Sequence, residues 1–216
     1  MSIDSDSLVT TLHYISLDPQ DFASGEGGEM RLMGSDGHPN WIIDSYRDQV
    51  RIFNTASGRV PFSIDSGNGV TSVKVLRIEG GADLAEHLSV TDANPGDEFK
   101  VEPGMVVSID PSGNRKFKLA DEPYDRKRVG IISGGNGVQP GLVLRDEGNP
   151  QADGEQPIAL TGQVWCHADT TFGPITPGDL LTTSSTPGHA MKVTDDAKAR
   201  FAVLGQALTG LKEGRC

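Results

Sequence analysis

In the stretch ITPGDLLTTSSTPGHAMKV, residues 175–193, Pro-Gly pairs bracket an apolar run, an acid, several hydroxyls and a histidine. The stretch has a partner earlier in the chain, because residues 101–129 align without a gap with residues 175–203, at a constant offset of 74 (177 − 103). Self-similarity at a fixed spacing indicates a repeated supersecondary unit, and two copies predict a compact pseudo-two-fold β-barrel or sandwich. The clearest matches are Pro103 with Pro177, Gly104 with Gly178, and Lys118 with Lys192.

The repeated Pro-Gly pairs are expected to be turns. Each pair precedes an apolar strand, a second turn reverses the chain, and the next strand is expected to run antiparallel to the first. Where the second copy has Asp179, Ser185 and His189, the first copy has two apolar residues and an arginine. The polar residues are therefore not part of the shared pattern, and we interpret the stretch as scaffold rather than as an active site.

The composition points to an all-β fold class. The chain has 216 residues, with 27 Gly and 13 Pro spread along it, which is typical of many short strands joined by turns. No apolar pattern of helical period extends over three turns, and the best helix candidate, residues 195–201, is short. Strand-like runs are frequent instead, including LVTTLHYISL (residues 8–17), NWIIDSY, QVRIFN, MVVSID, IALTGQVWCHA and FAVLGQAL.

The strand pattern changes character near residue 79. Before this point, short strands alternate between apolar and charged residues, so each can bury only one thin face. After it, the runs are longer and more continuously apolar. This change predicts a thin N-terminal fibre-like β-region over residues 1–79 and a C-terminal β-barrel domain over residues 80–216, with the boundary in IEGGAD.

The N-terminal region carries apolar residues without a two-sided core. One thin sheet would bury too little apolar area to offset the entropy of ordering its backbone. Three chains around an axis would each cover the next, so the pattern predicts a homotrimer. The residues that carry this argument are Leu8, Leu12, Ile15, Leu32, Trp41, Ile43, Val50, Ile52 and Phe62.

The charge of the chain excludes two classes of partner. The formal net charge is −11 at pH 7, so a nucleic-acid backbone or an anionic membrane surface would be repelled. The N-terminus lacks the charged and apolar regions of a signal peptide, and no run approaches the roughly 20 apolar residues of a membrane span. We expect no nucleic-acid binding, no signal peptide and no membrane insertion.

The segment SGGNG, residues 133–137, is the most site-like piece of the sequence. It begins with Ser133 and contains Asn136-Gly137, a strong hairpin signal whose residues tolerate positive φ. It matches neither a P-loop nor a nucleophile elbow. We interpret it as a turn, with a ligand or cleavage site as the alternative.

Other candidates for chemistry are weaker. CHAD, residues 166–169, offers too few ligands for a zinc site. ADLAEH, residues 82–87, pairs Asp83 with Glu86 but supplies no partner nucleophile, so we interpret it as a connecting turn. Cys166 and Cys216 are expected to be free thiols, although one disulfide is possible. We therefore expect no catalytic residue, no metal and no cofactor.

Several motifs carry a resemblance to a known group of proteins: GGADLAEHLSV, VEPGMVVSID, YDRKRVGIISGGNGVQPGLVL, GPITPGDLLTTSSTPGHAMKV and LGQALTGLKEGR. Over residues 80–215, the chain resembles a C-terminal β-domain of bacterial and bacteriophage tail-fibre-like proteins. The order of an AE motif, PGxVVxID and VGIISG is also similar, more weakly, to the intramolecular-chaperone and self-cleavage domains of phage appendage proteins.

The first resemblance implies a non-enzymatic structural or adhesive protein of a virion or extracellular particle. It also implies a homotrimer whose other partners are host-surface glycans or further fibre proteins. The second resemblance implies the alternative, an autoproteolytic chaperone domain that helps the fibre to trimerise. Because aromatic rings beside polar groups suit sugar faces, we expect receptor contacts around Trp41, Tyr46, Tyr124 and Trp165, although a buried core suits Trp165 better.

Overall fold

The computed structural model describes residues 26–91, 100–146, 148–149 and 154–216. Within them the chain is all-β, as the composition predicts, with fourteen strands and one short α-helix. No helix in this part of the chain is long and apolar enough to cross a membrane. The strand predicted over residues 8–17, with Leu8, Leu12 and Ile15, lies outside the described residues.

The chain divides into two compact units between Arg77 and Ile78, close to the boundary predicted around residue 79. The first unit contains one sheet, in which five antiparallel strands follow one another as a meander. Alternating apolar and polar residues let each strand pair with both neighbours while it presents two chemically different faces. The strands are β1 (Glu26–Met33), β2 (Pro39–Tyr46), β3 (Gln49–Asn54), β4 (Arg59–Asp65) and β5 (Thr71–Val73).

The second unit contains a six-stranded sheet with the order β10-β6-β11-β9-β7-β8. Only β10 and β6 pair in parallel; the other pairs are antiparallel. These strands are β6 (Asp83–Leu88), β7 (Val106–Ile109), β8 (Phe117–Leu119), β9 (Arg128–Ile132), β10 (Leu142–Leu144) and β11 (Gln156–Gly162).

A three-stranded sheet completes the second unit, with the order β13-β12-β14. Its strands are β12 (Leu180–Thr183), β13 (Ala190–Lys192) and β14 (Val203–Gln206). The helix α1 (Asp196–Ala199) lies before β14, inside the predicted helix, and Asp195 caps its N-terminus by accepting hydrogen bonds from two backbone N–H groups. None of the sheets in the described residues closes into a barrel, so these open sheets are compatible with the sandwich.

The two copies of the sequence repeat have the same strand order. In each copy, the first strand pairs with the second strand on one side and with the third strand on the other. Thus β7 lies between β8 and β9, and β12 lies between β13 and β14. The turn glycines agree, since φ is 96° at Gly104 and 95° at Gly178. A β-bulge also falls at aligned positions, after Val107 in one copy and after Leu181 in the other.

The expected equivalence of Lys118 and Lys192 is wrong by one residue. Lys118 lies opposite Ser108, but Lys192 lies opposite Leu181, which aligns with Val107. The cause is the length of the hairpin loop, which has seven residues (110–116) in the first copy and six (184–189) in the second. A one-residue deletion in a turn shifts the register of the returning strand, which an ungapped alignment cannot show.

The core of the second unit lies around the repeat. One cluster of buried side chains surrounds β7, and a second joins the two copies through Val106, Ala120 and Ala190, with Leu181 and Leu204 packed against it. Burying such apolar side chains is the main stabilising contribution to a fold of this kind. The first cluster contains Leu88, Met105, Val107, Leu119, Ile132 and Ile158.

Candidate functional site

One face of the first sheet consists largely of apolar side chains. Residues directly opposite one another in paired strands point to the same side of a sheet. The pairings run Met30 to Ile43, Ile43 to Ile52, Ile52 to Phe62, and Phe62 to Val73, so one apolar row crosses all five strands. Together with the neighbouring rows, these side chains form what we call the apolar face: Met30, Leu32, Trp41, Ile43, Val50, Ile52, Phe62, Ile64 and Val73.

The apolar face is exposed to solvent. Seven of its nine residues keep between 38% and 49% of their surface accessible, and only Ile52 and Phe62 are more buried. The exposed apolar area is on the order of 500 Å², which is near the upper end for the largest patch on a monomeric protein. A contiguous patch near this limit favours an interaction surface over a scattering of single exposed residues.

The opposite face of the first sheet, which we call the polar face, carries charged residues and one apolar pair, Ile42 opposite Phe53. Asp44 is 6% exposed and accepts two hydrogen bonds from the Arg51 guanidinium, at 2.9 Å from Nε and 2.5 Å from Nη2. The same guanidinium lies 4.0 Å from the centre of the Tyr46 ring, a cation–π contact. The sheet therefore has one face whose buried carboxylate is paired within the sheet, and one apolar face without a covering layer among its own strands.

The four aromatic residues proposed for receptor contact are divided between the two units, and the two in the first sheet point to opposite faces. Trp41 lies on the apolar face, whereas Tyr46 lies on the polar face of the same sheet. In the second unit, the Tyr124 hydroxyl accepts hydrogen bonds from the backbone N–H groups of Thr194 and Asp195, both at 3.0 Å. Tyr124 thus has a structural contact that the sequence pattern does not reveal.

Trp165 lines an apolar cavity in the second unit. The cavity has a volume of about 360 Å³, and its wall includes Leu181, Leu204 and both cysteines. Burial, together with nearby Cys216, raises the pKa of the Cys166 thiol to about 12, so this thiol stays protonated at neutral pH. Cys166 and Cys216 are both free.

The CHAD segment and the second Pro-Gly copy meet in one polar cluster. Asp169 is buried and accepts hydrogen bonds from the Thr171 N–H at 2.7 Å, from the Ser184 hydroxyl at 3.3 Å and from the Thr186 hydroxyl. Burial alone would raise the pKa of Asp169, but these hydrogen bonds outweigh it and lower the pKa to about 2. The carboxylate therefore stays ionised and holds the turn together.

Two histidines lie beside this cluster. The His167 and His189 ring centres are 5.3 Å apart, and the pKa of His189 is lowered, mainly by burial. The Ser184 hydroxyl donates to Asp169 rather than to either histidine, so the cluster lacks the serine–histidine contact of a nucleophile and base. In the described ranges, no three His, Cys, Asp or Glu side chains are placed to hold one metal ion.

Two candidate segments of the sequence, SGGNG and ADLAEH, are in contact in the structure. The Ser133 hydroxyl donates a hydrogen bond of 2.7 Å to Asp83 Oδ2, and both residues are buried. Asp83 Oδ1 has no hydrogen-bond partner among the described residues. Glu86 is three residues further along the strand and so points to the other face of the sheet.

The interpretation of ADLAEH as a connecting turn is wrong. Residues 83–88 form β6, which is paired on both sides, with β10 and with β11. Because β11 also pairs with β9, the end of β9 is brought near β6, and Ser133 follows β9 directly. A pattern of local residues cannot show this pairing, since the two side chains are 50 positions apart in the chain.

The SGGNG segment forms a tight 3-10 turn over Gly135–Gly137. The backbone φ angle is 48° at Asn136 and 77° at Gly137, and Gly134 is also left-handed at 96°. Just before this turn, the Gly104 N–H donates a hydrogen bond of 2.7 Å to the Ile132 carbonyl oxygen. Asp83 thus holds the Ser133 side chain at the start of the segment. The Gly104 N–H holds the carbonyl oxygen of the preceding residue, Ile132.

Comparisons with family models, with curated proteins and with solved structures gave no match to this chain.

Proposed function

We propose that this chain is a non-enzymatic structural or adhesive subunit of a fibre-like or spike-like assembly on a virion or another extracellular particle. The observation that carries the proposal is the apolar face of the first sheet. A contiguous patch of about 500 Å² of exposed apolar side chains on a single-layer sheet suits a surface that contacts another protein, as in a subunit of an assembly.

The second unit suits presentation at the end or side of such an assembly. Its strands are short, and the core around the repeat fixes turn-rich loops on a rigid scaffold, the arrangement on which binding residues are usually displayed. The motif resemblance over residues 80–215 to tail-fibre-like C-terminal domains supports the same function. The buried Asp169 cluster of this unit is accounted for by hydrogen bonds that hold a turn.

Within this proposal the four aromatic residues take different roles. Trp41 belongs to the apolar face and hence to contacts between subunits, and the hydroxyl of Tyr124 is engaged by backbone N–H groups. Tyr46, stacked beside Arg51, and Trp165, at the wall of the cavity, are better placed to contact a glycan. An aromatic ring offers one apolar face to the C–H groups of a sugar, while nearby polar groups bind its hydroxyls.

Glycan binding by the intact protein tests the adhesive part of the proposal. The full chain should bind at least one class of glycan on an array. Ile43→Asp places a carboxylate in the middle of the apolar face and should separate the subunits, so this variant should bind more weakly through loss of multivalency. Binding to no glycan and to no host-cell surface would contradict an adhesive role and leave only a structural one.

A second candidate function, autoproteolysis, is favoured by the contacts around Ser133. The Ser133 hydroxyl is hydrogen-bonded to a carboxylate that can accept its proton, and the Gly104 N–H is placed to stabilise negative charge on the Ile132 oxygen. Attack of Ser133 Oγ on the Ile132 carbonyl carbon would break the peptide C–N bond and form an ester, with the proton passing to the released amine. Water would then hydrolyse the ester into fragments 1–132 and 133–216.

Intact mass after expression separates the two functions. A single species of 22.9 kDa supports the structural function. Two complementary fragments that disappear in the Ser133→Ala variant would establish self-cleavage instead. The Ser112→Ala variant, at an exposed serine outside the pair, serves as the control.

A further inference from the structure

We infer that the free edge of β14, with the apolar cavity beside it, binds an extended, uncharged peptide strand of another protein, which pairs with β14 as β11 pairs with β9. This inference concerns the second unit alone and does not depend on the function proposed from the first sheet. It commits to a peptide strand rather than to a small molecule, a lipid or a glycan.

The two copies of the repeat differ in what lies beside their third strand. In the first copy, β9 pairs with β7 on one side and with β11 on the other. In the second copy, β14 pairs with β12, and within the described ranges no strand pairs with its other edge. Because the strand order of the two copies is otherwise the same, β14 has the position of β9 but lacks the neighbour that covers β9.

A glycine in each third strand marks the same place. Gly130 lies opposite Val107. Gly205 lies opposite Leu181, the residue that aligns with Val107. A Cβ atom on Gly130 would lie 2.3 Å from the Ala159 carbonyl oxygen of β11, whereas a Cβ atom on Gly205 would meet nothing within 4 Å. The space that β11 takes beside the first glycine is thus open beside the second, and a glycine inside a strand often marks the close approach of another backbone.

The apolar cavity of the second unit lies along this free edge. Its wall includes residues 204–211, from β14 onward, and residues 162–166, at the end of β11 and just after it. The cavity volume is about 360 Å³. Since a cavity of about 150 Å³ accommodates one benzene ring, this cavity has room for about two or three side chains of valine or leucine size. Alternate side chains of a strand point to one face, so a peptide of about five residues would fill it.

The free edge also offers backbone hydrogen-bonding groups to a strand. The Ala207 N–H donates to the Asp179 carbonyl oxygen at 2.9 Å, and the Ala207 carbonyl oxygen accepts from the Gly178 N–H at 2.8 Å. Both backbone groups of Ala207 therefore point toward the residues that precede β12. Successive residues of an antiparallel strand direct these groups to alternate sides, so the N–H and carbonyl of Gln206 point toward the free edge.

The charges around the edge favour an uncharged strand. Among the described residues, the wall of the cavity has no acidic or basic side chain, although the chain has a net charge of −11. A charged side chain inserted there would be buried without a partner. The hairpin strands at the other edges, β8 and β13, carry Lys118 and Lys192, and such lysines discourage pairing with another chain. Strand β14, with the sequence VLGQ, carries no charge.

Fluorescence anisotropy with a labelled peptide of the β11 sequence, QPIALTG, tests the inference on the intact chain. The wild-type protein should bind this peptide saturably. Gly205→Leu adds an apolar side chain to the cavity wall without a clash, and it should weaken binding about tenfold or more by occupying the place of one peptide side chain. Ser185→Leu adds the same side chain at an exposed position between β12 and β13 and should leave binding unchanged.

A second pair of variants separates strand pairing from apolar binding alone. Gln206→Pro removes the N–H that faces the free edge and should abolish peptide binding. Gln206→Ala keeps that N–H and should still bind, although both variants lose the side-chain hydrogen bond to the Gly178 carbonyl oxygen. Circular dichroism shows whether each variant is folded.

Three results would overturn the inference. The first is a wild-type protein that does not bind the peptide, and the second is binding that is unchanged in Gly205→Leu. The third is binding that is lost in Gly205→Leu but kept in a folded Gln206→Pro protein, because the cavity would then bind apolar groups without strand pairing. None of these results bears on the apolar face of the first sheet, which carries the proposed function.

Discussion

Gly104 and Gly178 occupy the same position in the two copies of the repeat but have different surroundings. Both have left-handed backbone, with φ of 96° and 95°. A Cβ atom on Gly104 would lie 2.7 Å from Trp165 Cε3 and 2.8 Å from His167 Cδ2, whereas a Cβ on Gly178 would meet nothing within 4 Å. The left-handed backbone favours glycine in both copies. Only in the first copy does packing also exclude a side chain, because a Cβ atom there would collide with Trp165.

Alanine substitution separates these two requirements. Gly178→Ala should lower the free energy of unfolding by about 1–2 kcal/mol, through backbone strain alone. Gly104→Ala should cost a further 1–3 kcal/mol or so, because Trp165 must move. Urea denaturation of both variants measures the difference, and equal losses would contradict the role of the Trp165 contact.

His189 makes the stability of the second unit sensitive to pH. Because burial lowers its pKa in the folded state, the unfolded chain takes up the proton first as the pH falls below the ordinary histidine value of about 6.5. The unfolded state then binds more protons than the folded state, and stability falls with pH. Asp169 does not interfere in this range, because its carboxyl titrates well below pH 5.

We expect the urea midpoint to fall between pH 7.5 and pH 5 in the wild-type protein. The His189→Gln variant should show a flatter pH dependence, whereas His38→Gln, at an exposed histidine, should keep the wild-type slope. The measurement is a urea titration followed by circular dichroism at several pH values. An unchanged slope in His189→Gln would show that another group carries the pH dependence.

At the scale of elements, local patterns predict strands well and their partners poorly. NWIIDSY and QVRIFN become β2 and β3, since alternation alone decides which side chains share a face. The same alternation does not tell which strand lies alongside. For this reason the sequence pattern did not predict that residues 83–88 form an internal strand or that Ser133 is hydrogen-bonded to Asp83. It also did not predict that the hairpin loop of the second copy is one residue shorter.

The ion pair between Asp44 on β2 and Arg51 on β3 is expected to stabilise the first sheet. Arg51→Ala should destabilise this sheet by about 2–4 kcal/mol, because it leaves Asp44 buried without its main partner. Arg31→Ala, which breaks the exposed pair with Glu29, should cost no more than about 1 kcal/mol. Urea denaturation at a fixed protein concentration compares them, and similar costs would refute a stabilising role for the buried pair.

The two units of the molecule bury apolar surface to different degrees. The second unit buries several apolar clusters around its repeat, whereas the first unit has a single layer with one apolar face exposed. The sequence predicted this thin face from alternation, including Leu32, Trp41 and Ile43. It could not show that one row crosses all five strands, because the register depends on turn lengths in three dimensions.

Burial of the apolar face by other subunits, on which the proposed function rests, is tested most directly by the solvent accessibility of Trp41. The chain has two tryptophans, so Trp165→Phe leaves Trp41 as the only one, and acrylamide quenching then reports on the apolar face alone. Trp41 is 40% exposed in the single chain. We expect weak quenching in the Trp165→Phe protein and clearly stronger quenching once Ile43→Asp is added, because a carboxylate in the apolar row should separate the subunits. Equal and strong quenching in both proteins would contradict the claim.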